Sequence, residues 1–80
     1  MGGPQFPADA VEVALRYLRS VPQPFKPMHF YIAAERALNK RRAGEGLRLR
    51  LLREGKVFVR SMKRKPSGRV FHSYEVTPEL

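Results

Sequence analysis

Pro22, Pro24 and Pro27 fall within six residues, and each lacks an amide donor and biases the residue before it toward an extended conformation. No helix can run through that stretch, so the chain on either side of it must form separate elements. Pro27 can occupy the first turn of the element that follows.

Upstream, Val11, Ala14, Leu15 and Leu18 recur at the 3, 4, 7 spacing of one helical face. Asp9 with Glu12 three residues later has the form of a capping box. The pattern predicts a first helix over Ala10 to Ser20. Downstream, Phe30, Ala33, Ala34, Ala37 and Leu38 make a second stripe, whose small residues allow close approach of a neighbour. A second helix is predicted over Met28 to Asn39.

The segment Gly46 to Glu54 supports two readings. Leu47, Leu49 and Leu51 alternate with arginines as in a strand, while the high helix propensities of Leu, Arg and Glu suit a helix. Gly55 would end such a helix with a positive φ, and Arg53 would favour its last turn through the backbone dipole. We take the segment as a third helix, with a strand paired to the following one as the alternative.

Val57, Phe58 and Val59 within Lys56 to Met62, and later Val70 to Val76, carry the β-branched and aromatic residues of two strands. Between them Pro66-Ser67-Gly68 is turn chemistry. The expected product is a hairpin whose tip, Lys63 to Arg69, is strongly basic. Pro78 ends the second strand.

A chain of 80 residues supports one core at most. Its 42% hydrophobic content, spread along the chain, favours a folded domain over disorder. We expect an α+β domain over residues 9–77, with a flexible N-terminal tail at 1–8 and a short C-terminal tail at 78–80. The absence of cysteine removes disulfides and thiolate metal sites and suits a reducing compartment. No apolar run reaches a membrane span and the first seven residues lack signal-peptide order, so a soluble, cytoplasmic protein with no membrane partner is expected.

The charge is unevenly placed. Of 16 Lys and Arg residues against 7 acids, twelve cations fall between Lys40 and Arg69, opposed there only by Glu45 and Glu54. The stretch before Lys40 holds four cations and three acids. A net charge of +9 on a small domain repels itself unless an anionic partner screens it, which points to nucleic acid, anionic lipid or an acidic protein bound by the second half.

Three helices followed by a basic hairpin resemble the winged-helix branch of helix-turn-helix proteins, and Leu51-Leu52-Arg53-Glu54-Gly55-Lys56-Val57-Phe58-Val59-Arg60 looks like that family's junction between third helix and first wing strand. The resemblance implies a winged helix: three helices and a two-stranded β-hairpin wing that docks on duplex DNA. It implies that the start of the third helix enters the major groove, where Arg reads base edges through its planar fork, and that the wing meets phosphates or the minor groove. The DNA-contacting residues so implied are Lys40, Arg41, Arg42, Arg48, Arg60, Lys63, Arg64, Lys65 and Arg69, with Glu45 beside them. The expected role is a transcriptional regulator or a small chromosome-, plasmid- or virus-associated factor.

Two other functions compete. One is an RNA or single-stranded nucleic-acid binder using a β-sheet surface, favoured if Leu47 to Leu52 is a strand. Its stacking rings would come from Phe25, Phe30, Tyr31, Phe58, Phe71 and Tyr74; most of these are needed for a core, and Tyr31 and Tyr74 are the ones expected at the surface. The other is a protein-interaction module for an acidic partner. The first helix carries a second apolar pair, Val13 and Tyr17, a wider face than one core needs, which suits a homodimer.

Catalysis and metal chemistry find no support. His29 and His72, without cysteine or a carboxylate cluster, cannot furnish three or four zinc ligands. Ser20, Ser61, Ser67 and Ser73 lack an activating base arrangement, and no phosphate-binding glycine loop is present. The chain is expected not to be an enzyme and to need no cofactor.

Overall fold

The computed structural model describes residues 7–78. It is an α+β arrangement of α1 (Ala8–Ser20), α2 (Met28–Leu38), a 3-10 turn (Arg41–Ala43), α3 (Gly44–Arg53), β1 (Val57–Arg64) and β2 (Val70–Val76). Most of the two expected tails, residues 1–6 and 79–80, lies outside the described residues. Ala8, expected in the tail, is the first residue of α1.

The helix α1 turns Val11, Ala14, Leu15 and Leu18 inward, as the spacing predicted, and Ala10 with them. Its expected capping box does not form. Pro7 is the N-cap, in an extended conformation, and no side chain caps the helix, so Asp9 lies inside the first turn, where its charge complements the dipole. After α1 the proline-rich connection is tied down by Gln23, whose Nε2 donates to the carbonyls of Leu18 at 2.7 Å and Val21 at 3.0 Å, while its Oε1 accepts from Val76 N at 3.0 Å. One side chain thus serves the open end of α1 and the end of β2 together.

The helix α2 buries Phe30, Ala33 and Ala34 and ends at Asn39, which adopts φ 56°, a left-handed conformation that Asn tolerates better than most residues. The segment left open between helix and strand is a helix. It starts two residues earlier than predicted, at Gly44, where the backbone lies against Tyr31: a Cβ on Gly44 would meet Tyr31 Cα at 2.7 Å. Its end follows the Schellman pattern, with Gly55 at φ +72°, Lys56 N donating to Leu51 O at 2.9 Å and Gly55 N to Leu52 O at 3.2 Å.

Within α3, Leu47 and Leu51 are fully buried and Leu49 is 54% exposed. A strand would have placed all three on one face. Leu49→Ala should accordingly cost under about 0.5 kcal/mol as a surface change, whereas Leu47→Ala and Leu51→Ala should each cost about 2 to 5 kcal/mol. Urea denaturation of the three variants checks this, and equal losses would contradict the helical register.

The strands β1 and β2 pair antiparallel from Val57↔Val76 to Arg64↔Val70, with a register shift between Val59 and Ser61. The first strand runs two residues beyond its predicted end, taking Lys63 and Arg64 out of the turn. Gly68 N donates to Lys65 O and Lys65 N to Arg69 O, both at 2.8 Å, and Gly68 has φ +90°. This is a turn followed by a glycine bulge, the geometry for which Pro-Ser-Gly is suited. Phe25 adds a one-residue bridge to the other edge of β2, exchanging two backbone hydrogen bonds with Tyr74 at 2.7 and 2.8 Å.

The core is closed by three rings. Phe30 meets Phe25 edge-on at 5.2 Å and Tyr74 edge-on at 5.0 Å, and all three are buried. Tyr74, expected at the surface, is 3% exposed because the pleat that buries Val76 also turns residue 74 inward. From Ser61 to Phe71 no residue is buried. That end of the hairpin projects from the body and is held by its own pairing.

Candidate functional site

The cations of the second half occupy two places. Lys40, Arg41 and Arg42 form the turn between α2 and α3, where with Tyr31, Asn39 and Ala43 they line an open groove of about 930 Å³. Lys63, Arg64, Lys65 and Arg69 surround the hairpin turn, all exposed. Between them, Arg48 links α3 to the root of the hairpin. Its guanidinium sits between Glu45, one turn earlier on α3, and the hydroxyl of Tyr74 at the root of β2, 3.5 Å away. The N-terminal half of α3 therefore faces the side of the hairpin that carries Tyr74.

Arg48 is already engaged. Its Nε donates to Glu45 Oε1 at 3.2 Å, its Nη2 makes a short contact to Glu45 Oε2, and three quarters of its side chain is covered. Hydrogen bonding to Glu45 raises the guanidinium pKa, and the same bond to Arg48 holds the Glu45 carboxyl below the usual carboxylate range. Because the carboxyl is depressed, what the pair contributes is present at neutral pH and is lost as pH falls through the carboxylate range. Glu45 is half exposed, so that contribution is small.

Of the other predicted residues, Arg41 pairs with Glu35 at 3.4 Å, both exposed, and Arg60 with Glu75 at 3.4 Å, where the carboxylate side is partly covered. Lys65 holds its ammonium 4.6 Å from the centre of the Phe71 ring. Among the described residues Lys40, Arg42, Lys63, Arg64 and Arg69 take part in none of the ion pairs. Surface cations without partners are the ones whose binding to an anion costs no broken bridge.

Sequence reasoning named Arg42 and Glu45 but missed Leu49 and Arg53 beside them on the outward ridge of α3. Glu45, Leu49 and Arg53 stand one turn apart and all are exposed, with Arg42 one turn ahead of them. Once Leu47 and Leu51 are taken as the buried pair, the helical period alone would have found that ridge. His29 and His72 lie on different elements, and among the described residues no three His, Asp or Glu side chains gather as metal ligands. No described helix is long and apolar enough to cross a membrane. Compared with protein-family models, curated proteins and solved structures, the chain matches none.

Proposed function

We propose that the protein binds duplex DNA as a small winged-helix domain, using the start of α3 for the groove and the hairpin as a wing on the backbone. The observation that carries this reading is the concentration of unpaired cations in two exposed places: Lys40 and Arg42 ahead of α3, and Lys63, Arg64 and Arg69 on an arm that contributes nothing to the core. An arm that adds no buried surface but holds four cations in seven residues is repulsive to the fold and attractive to a polyanion. The order of three helices and hairpin supports the same reading.

The roles divide by chemistry. Lys40, Arg41, Lys63, Arg64, Lys65 and Arg69 contact phosphates, which set affinity and register. Arg42, in the turn just ahead of α3, is offered to base edges, with Leu49 on the exposed ridge of α3 for a thymine methyl. Arg48 serves as a strut that holds α3 against the hairpin, because a base contact would require it to leave Glu45 and Tyr74. A regulator, or a small chromosome-, plasmid- or virus-associated factor in the cytoplasm, is the role that fits.

A salt titration of duplex binding tests this. Log affinity should fall against log salt with a slope of about −4 to −7, the release expected on neutralising about five to eight phosphates. Replacing Lys63, Arg64, Lys65 and Arg69 by Ala should flatten the slope by about 3 to 4 and weaken every duplex about equally. A flat response in the parent protein, or an unchanged slope in the variant, would remove the reading.

A further inference from the structure

The hairpin has two faces, and only one of them is used by the fold. Val57, Tyr74 and Val76 turn toward the core, so alternation sends Phe58, Ser61 and Lys63 of β1 and Phe71, Ser73 and Glu75 of β2 to the opposite side. On that outward side Phe58 is 38% exposed and Phe71 41% exposed. A solvent-facing strand has no packing reason to carry two phenylalanines. They stand four residues apart along the ladder, about 13 Å, with the Ser61 and Ser73 pair between them. Two separate rings, a hydroxyl pair between them and flanking cations make an unusual surface for a folded protein to leave bare.

We propose that this outward face binds an unpaired segment of nucleic acid, whose bases stack on Phe58 and Phe71 while Lys63 and Lys65 meet its phosphates. The site shares Lys63 and Lys65 with the proposed duplex surface, but its two rings, Phe58 and Phe71, belong to it alone. A duplex cannot use it, since its bases are already stacked on one another; single strands have free π faces, and stacking on aromatic side chains is how many are held. The 13 Å between the rings spans at most about four nucleotides at a stacked rise of 3.4 Å. Lys65 rests over one face of the Phe71 ring at 4.6 Å, so a base stacking on that face displaces the ammonium, which then stands beside the incoming phosphate. The charge on the arm opposes pairing with a second copy of the chain. An anionic membrane is a poorer fit, because inserting the two rings would bury the Ser61 and Ser73 hydroxyls between them.

The test uses the full chain and the variants Phe58→Leu, Phe71→Leu and both together, which keep the apolar bulk and remove the π face. Binding is measured by fluorescence anisotropy to a short oligothymidylate, to an oligouridylate, to a DNA duplex of the same length and to phosphatidylserine vesicles. Each Leu substitution should weaken single-strand binding about 5- to 150-fold, leave duplex binding unchanged, and be rescued by Tyr at the same position. Circular dichroism melts should match the parent. Single-strand binding that survives the double substitution would overturn the proposal, as would an equal loss on the duplex, failure of the Tyr variants to restore binding, or selective retention on vesicles. The salt titration of duplex binding is read independently, so either conclusion can fail without the other.

Discussion

Phe30→Ala is expected to remove about 3 to 5 kcal/mol, a quarter or more of the stability of the whole domain. Phe30 is wholly buried and is the ring that both Phe25, from the proline-rich connection, and Tyr74, from β2, meet edge-on. Its removal costs about 3 to 5 kcal/mol through lost transfer energy and the cavity left behind. A chain of this length has only about 4 to 12 kcal/mol in total. Phe30→Leu keeps most of the volume and loses mainly the edge-on contacts, each about 0.5 to 1.5 kcal/mol, so it should fold with a lowered midpoint. Urea denaturation followed by far-UV circular dichroism separates the two, and a parent-like midpoint for the Ala variant would show that the three rings do not close the core.

Gly44→Ala should destabilise, against the sign of helix propensity. In an open helix the change gains about 1 kcal/mol, but at Gly44 the new methyl would lie 2.6 Å from Tyr31 Cδ1 and 2.7 Å from Tyr31 Cα. A side chain can swing away; a Cα cannot, so α3 must move off α2 at an overpacking cost of about 1 to 3 kcal/mol or more. Removing the ring by Tyr31→Ala in the same chain should recover only part of the loss, because the backbone contact remains. Thermal melts of the two single variants and the double variant measure the coupling. A Gly44→Ala protein more stable than the parent would mean that the two helices are not in contact there.

The elements written in local chemistry were legible before any coordinates. The helical stripes of α1 and α2 need only periodicity, and Pro-Ser-Gly and Gly55 announce their turns because few other residues adopt those backbone angles. The segment around Leu49 stayed open because Leu-Arg alternation satisfies both periods, and tertiary contact decided it: Leu47 and Leu51 have a core to enter and Leu49 does not. What the sequence hid are features set by distant neighbours. Gln23 looks like an ordinary loop polar residue until Val76 arrives beside it. Tyr74 reads as amphipathic, yet its ring is enclosed while its hydroxyl reaches Arg48. Asp9 and Glu12 had the spacing of a capping box, but the helix began before them. For the candidate site, the cations were visible as a run, whereas their partition into paired and unpaired depended on where Glu35, Glu45 and Glu75 came to rest.

Arg60 is the surplus residue of the hairpin. The pairs on its root side, such as Val59↔Tyr74, and those on its tip side, such as Ser61↔Ser73, are consecutive on β2 but skip one position on β1. Inward and outward positions therefore keep step across the gap, and the extra residue is absorbed as added twist and a bend. The arm thus has a joint: the root, Phe58 included, answers to the core, the tip carries the charges and Phe71, and the angle between them is governed by one position outside the ladder, whose side chain reaches Glu75. Losing that single residue would redirect the tip while keeping the ladder pairs on both sides, with only the ion pair to Glu75 given up.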